Sequence, residues 1–164
     1  METIFAEILG RHTAEVIQRA SGLIPKETRI DSRPQNPPLC ELAVRIDFKG
    51  RLGQSKVGGY VLCGFVRQDQ SRPILEAMAR HLHLDEGLID SPDGPINLLN
   101  EFLNIVIGLT GAEWAEQGFE MNFSPPVNMS GQAVAALTGA ETAFHVVVGT
   151  ESGARVDLLA VFRG

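Results

Sequence analysis

Glu101 and Asn104 are the two residues of this chain whose types and spacing suit joint chemistry. At i and i+3 on a helix, their side chains emerge side by side. The carboxylate can pair with a lysine on another molecule. The neutral amide offers one acceptor and two donors, so it can orient a water although it is no strong base. Phosphoryl transfer through a loose transition state asks mainly for such positioning. With 13 Glu and 6 Asn among 164 residues, a Glu-x-x-Asn pair arises about 0.5 times by chance, so the pair alone decides nothing.

Its surroundings give it weight. At 100° per residue, Asn97, Glu101, Asn104 and Gly108 fall within about 60° of one another. The remaining positions from Ile96 to Leu109 are almost all apolar: Leu98, Leu99, Phe102, Leu103, Ile105, Val106 and Ile107 among them. An ordinary surface helix has a broad polar face. A narrow polar stripe on an apolar helix either lines an opening or is buried and satisfied internally. Gly108 removes the side chain one turn beyond Asn104, which leaves room for a partner's backbone.

Other chemistries find less support. Cys40 and Cys63 make no disulfide framework and read as buried or half-buried free thiols. His81 and His83 diverge around a helix end, and no Cys-x-x-Cys or His-Glu-x-x-His pattern occurs, so no metal site is expected. A net charge of −6 with scattered basic residues argues against nucleic acid. The longest strongly apolar stretch, 102–109, is far short of a membrane span, and the acidic start is no secretory signal. A cytoplasmic location is expected.

The stripe needs a scaffold, and the pattern predicts an α+β domain over residues 1–164, with helices packed on a largely antiparallel sheet. Residues 2–20 read as an amphipathic helix stopped by Ser21-Gly22. Residues 25–38, rich in proline and charge, read as a loop. Leu42–Lys49 alternates as a half-buried strand, Gly50–Gly53 turns the chain, and Val57–Val66 is a second strand with a bulge or close contact at its glycines. Ser71 is expected to cap a helix with Pro73 in its first turn and Ile74, Leu75, Met78, Ala79 and Leu82 on its buried face. A loop over 84–94 leads into the long helix from Pro95 to about Gln117. Trp114 there is expected to pack. Phe119–Phe123 is a short strand interrupted by Ser124-Pro125-Pro126, and 131–140 is ambiguous. Met121 and Met129 read as filling, and Asn128 and Ser130 as turn residues. Ala143–Val148 and Arg155–Phe162 form a terminal hairpin.

Glu101-Phe102-Leu103-Asn104-Ile105-Val106-Ile107-Gly108 resembles the Glu-x-x-Asn-x-x-x-Gly helix of the CheC/CheX/FliY chemotaxis phosphatases, most of all the CheX branch. Ser124-Pro125-Pro126, with Gly131 beyond it, resembles that family's Ser-x-Pro segment and later glycine. Gly53, the Gly58-Gly59-Tyr60-Val61-Leu62 strand and the terminal hairpin follow its usual order. The family often carries Asn-Ala-Lys after the motif glycine. Here Leu109-Thr110-Gly111 stand instead, and Gly111 is expected to kink or end the helix.

The resemblance implies a CheC/CheX-like fold that removes phosphate from the phospho-aspartate of a CheY-like response regulator. Asn104 would align the attacking water, Glu101 would bind the regulator's lysine, and Asn97 and Gly108 would contact the regulator. No cofactor is implied on this chain, because the Mg2+ belongs to the regulator. A single Glu-x-x-Asn helix favours the CheX type, whose members are homodimers formed by sheet association. Two alternatives stay open: a non-catalytic module binding a response regulator or another chemotaxis component, and a structural dimer with the polar stripe buried.

Overall fold

Leu42, Val44, Ile46 and Phe48 are buried on one side of β2 (Leu42–Leu52), while Arg45 and Asp47 lie half-buried on the other. The computed structural model describes residues 2–32, 34, 39–132 and 141–164. β3 (Ser55–Phe65) pairs with β2 from Leu42 opposite Phe65 to Leu52 opposite Ser55, so the turn is only Gly53-Gln54. Gly50, expected in the turn, belongs to β2. A Cβ there would stand 1.9 Å from the Glu120 carbonyl, so glycine is what lets β4 (Phe119–Phe123) close on this edge.

The terminal hairpin pairs β6 (Thr142–Thr150) with β7 (Arg155–Arg163), and β7 lies against β3. The result is one antiparallel sheet in the order β1-β6-β7-β3-β2-β4. The two-residue β5 (Val127–Asn128) also pairs with β2, so β4 and β5 form one edge broken by Ser124-Pro125-Pro126. Ser124 holds the break: its N–H donates to the Asp47 carbonyl (2.8 Å), and its Oγ accepts from the Asp47 N–H (2.9 Å).

β1 (Pro25–Asp31) corrects the loop expected over 25–38. It is an edge strand on β6, with Arg29 opposite Val147 and Asp31 opposite His145. Its alternation is hidden because only Ile30 and Pro25 are even half-buried. The strand exists because distant β6 offers an open edge, and Pro25 sits at its first position, where the lost N–H is tolerated. The ambiguous segment 131–140 lies outside the described residues beyond Gln132.

Three helices cover one face. α1 (Glu2–Val16) buries Phe5, Ile8, Leu9, Thr13 and Val16, then widens into a π-helical turn (Ile17–Ser21) that Gly22 ends at φ 72°. α2 (Gln68–His81) begins before the expected Ser71 cap. The Arg67 N–H donates to the Gln70 side chain (3.3 Å), and Ser71 is buried within the helix, bonded back to the Gln68 carbonyl. Pro73 therefore sits in the second turn, and Leu82, expected inside, is 39% exposed at the helix end. α3 (Gly94–Glu116) runs unbroken through Gly111. A Cβ at Gly111 would come 2.8 Å from the Phe123 ring, so this glycine packs a sheet residue against the helix and does not end it.

The opposite face of the sheet is buried as well, around Ala43, Tyr60, Leu62, Leu159 and Val161, with the Arg45 guanidinium 4.0 Å from the Tyr60 ring centre. Asp157 is fully buried in β7. It accepts from His145 Nε2 (2.7 Å) and from Arg155 Nε and Nη2 (2.9 and 2.8 Å). Burial alone would raise this carboxyl, but the bonds from His145 and Arg155 outweigh it and hold it below its ordinary value. A depressed carboxyl stabilises the fold above the unfolded-state pKa, and that contribution disappears as the pH falls through the folded-state value. Asp157→Ala should therefore destabilise the protein by roughly 1.5–3 kcal/mol at neutral pH, because the His145 and Arg155 side chains left behind keep access to water. Urea melts across acidic pH should show wild type and variant converging as the pH drops.

Candidate functional site

The C-terminal half of α3 is fixed by aromatic packing. Trp114 is fully buried and donates through Nε1 to the Phe5 carbonyl of α1 (3.2 Å). Its ring meets Phe5 edge-on at 5.7 Å and Phe48 of β2 at 6.0 Å, and Phe5 meets Phe119 at 4.2 Å. Such pairs contribute about 0.5–1.5 kcal/mol each beyond their buried area. Glu113, on the same helix, binds α1 through Arg11 and through His12 Nε2 (2.6 Å), whose Nδ1 faces Glu15 (3.0 Å). The Arg11 guanidinium, and after it His12, holds the Glu113 carboxyl below the usual carboxylate range.

The rest of α3 turns Leu98, Leu99, Phe102, Leu103, Val106, Ile107 and Thr110 into the core. Asn97, Glu101, Asn104 and Gly108 are all exposed on its outer side. The stripe thus lies on the surface of the chain and is not sealed inside it. Neither the Glu101 nor the Asn104 side chain has a hydrogen-bond or ion-pair partner among the described residues. Glu113 and Glu101 stand on one helix with opposite fates: one acid ties the helix down, and the other is left available. An exposed Glu–Asn pair on a rigid helix can take a cation on one side and orient a water on the other.

A Cβ built at Gly108 would meet no described residue within 4 Å. Glycine inside a helix is destabilising relative to alanine, so here it gives up stability and gains only clearance on the exposed face. Gly108→Ala should stabilise the protein by roughly 0.5–1 kcal/mol, read as a higher melting temperature. A fall would mean that the helix needs glycine at that position.

Other residues settle into structural roles. Asn128 Oδ1 accepts from the Ser130 N–H (2.9 Å), Ser130 Oγ accepts from the Ala43 N–H (3.1 Å), and Gly131 takes φ 69°, all turn geometry. Met121 and Met129 are half-buried against the two apolar clusters. Burial pushes the Cys40 thiol up to about 12 and raises the fully buried Cys63 as well, which removes both as thiolate nucleophiles. Among the described residues no group of three or more His, Cys, Asp or Glu is arranged to hold a metal ion. No described helix is long and apolar enough to cross a membrane.

Two features escaped the sequence. Asn100 lies one turn before Asn104, half-buried, with an amide oxygen that has no hydrogen-bond partner among the described residues. Leu84 and Leu88 stand exposed beside the N-terminal half of α3, next to Asn97 and Glu101. Apolar residues four apart within an expected loop were the only signal for the second.

No family model matches the sequence, and no curated protein does. Solved structures do match over nearly the whole chain. A CheC-like superfamily protein from Shewanella sp. PV-4 superposes with a TM-score of 0.78 at 16% identity, covering 100% of both chains. The fold is that of the CheC and CheX chemotaxis proteins. The CheX of Desulfovibrio desulfuricans superposes with a TM-score of 0.73 at 15% identity, over 96% of this chain and 97% of its own. A CheX–CheY–BeF3–Mg2+ complex from Borrelia burgdorferi matches with a TM-score of 0.68 at 12% identity, over 98% of both chains. The CheC/CheX fold expected from the α3 motif is therefore present across the chain.

Proposed function

We propose that this protein is a cytoplasmic CheX-like phosphatase that hydrolyses the aspartyl phosphate of a CheY-like receiver domain. The observation that carries this reading is the exposed, unpartnered Glu101–Asn104 pair on a helix anchored at its far end. The CheX–CheY complex among the structural neighbours makes a receiver the partner class to test first.

In this reading α3 docks over the receiver's phosphorylated aspartate. Glu101 accepts from the receiver's active-site lysine and fixes the helix in register. The Asn104 amide holds a water in line with the acyl phosphate. Attack of the water oxygen forms the new P–O bond and breaks the old one, releasing phosphate and returning the aspartate as a carboxylate. Asn97 and Gly108 contact the receiver above and below the pair, and Gly108 admits its backbone. The receiver supplies the covalent intermediate and the Mg2+, and this chain supplies geometry.

Phosphate release from phosphorylated receivers of the same genome, with Mg2+, tests the proposal. Wild type should accelerate decay of at least one receiver. Asn104→Ala should lose that acceleration on the order of 100-fold with an unchanged fold, because misplaced water costs about that much. Glu101→Ala should mainly weaken receiver binding, through loss of a charge-assisted bond of about 1.5–3 kcal/mol. Stable receiver binding with no faster decay in the wild type would instead make the protein a non-catalytic binding module.

The proposal includes a homodimer. β1 is the edge suited to it, since the β4–β5 edge is interrupted at Ser124-Pro125-Pro126. Two β1 strands paired antiparallel about Thr28 would set each Glu27 opposite the partner copy's Arg29. Glu27→Arg should shift the sedimentation coefficient toward the monomer. An unchanged dimer would place the interface elsewhere.

A further inference from the structure

Beside the N-terminal half of α3 the surface opens into a cleft of about 240 Å³. Leu84, Leu88 and Leu98 form its apolar lining, and Asn97, Asp93 and Glu101 stand on its rim. Leu84 and Leu88 are 41% and 39% exposed.

The wall is held in place. It is a short 3-10 turn (Glu86–Asp90) between α2 and α3. Asp85 caps the turn by accepting from the Gly87 N–H (2.9 Å). Ser91 Oγ donates to the Leu88 carbonyl (2.6 Å), and Arg72 of α2 reaches Asp90 (3.1 Å). A Cβ on Gly94 would fall 1.4 Å from the Leu88 carbonyl, so glycine at the start of α3 is what lets Leu88 stand against the helix. These contacts fix an apolar recess without filling it.

Its position names the occupant. Asn97 and Glu101 belong both to the cleft and to the stripe, so a partner that covers Glu101 also covers the recess. Asn97 and Asn104 are seven positions apart, about 10 Å along the helix. A cavity of roughly 150 Å³ suffices for a benzene ring, so this recess takes one large side chain. The acidic rim of Asp93 and Glu101 suits basic groups around that side chain.

We propose that the cleft is a selectivity pocket that seats one bulky aliphatic or aromatic side chain of the receiver, flanked by basic residues, on the N-terminal side of Asn104 along α3. This inference rests on α3 being the receiver-docking helix. Asn104 and Glu101 then serve every receiver alike, while Leu84 and Leu88 choose among them.

The test uses the full chain and a receiver whose phosphate loss the wild type accelerates, activated with beryllofluoride for the Kd and phosphorylated for KM and kcat. Leu88→Glu and Leu84→Glu place a charge where the apolar side chain would seat. Each should raise the receiver Kd by about 10-fold or more, with the loss in KM and not in kcat. Leu88→Met should bind within about twofold of wild type. Melting temperatures check the fold, and the exposure of both leucines favours its survival. Unchanged Kd in both glutamate variants would overturn the pocket while leaving the phosphatase reading standing. Failure of the wild type to accelerate any receiver would remove that reading and the pocket with it. A change in the sedimentation of Leu88→Glu alone would show that a second copy of this chain fills the cleft, and would also overturn the proposal.

Discussion

The surface chemistry of this protein depends on how α3 is held. Trp114 locks into rings from α1, β2 and β4, and its indole N–H reaches the Phe5 carbonyl. Glu113 adds a polar tie through Arg11 and His12. With the last turns fixed and one flank buried from Leu98 to Thr110, the exposed side has a defined direction. A preorganised helix can present an amide and a carboxylate without spending their interactions on the fold, which water positioning in a partner's site requires.

The division of labour along α3 follows from this. Glu113 and Trp114, toward its C-terminal end, have partners within the chain. Those toward the middle, Glu101 and Asn104, have none among the described residues. Gly108, between the two regions, gives up helix stability without relieving a contact among the described residues. Gly111, three residues on, has the opposite character, since the Phe123 ring occupies the space a side chain would need. Two glycines in one helix thus serve different ends, one facing out and one facing in.

The stripe was readable from the sequence because a helix converts spacing directly into direction. Four polar or small residues among apolar ones leave little choice of outward face, and the structure exposes those four. The β2–β3 and β6–β7 hairpins were readable for the same reason, through alternation. β1 was not, because an edge strand exposed on its outer face shows no apolar rhythm and owes its existence to a partner near the other end of the chain. The start of α2 is hidden because Ser71 has the type of a cap, yet its hydroxyl bonds back within a helix already begun at Gln68. The cleft was invisible because it needs three things that meet only in space: a short turn, a glycine at a helix start and one flank of α3.

The most direct measurement is a crystal structure of the protein bound to a beryllofluoride-activated receiver. The account predicts the Asn104 amide within about 3 Å of a water in line with the beryllium–oxygen bond to the receiver's aspartate, and Glu101 on the receiver's lysine. A complex in which the receiver docks elsewhere, with Asn104 still facing bulk solvent, would contradict it.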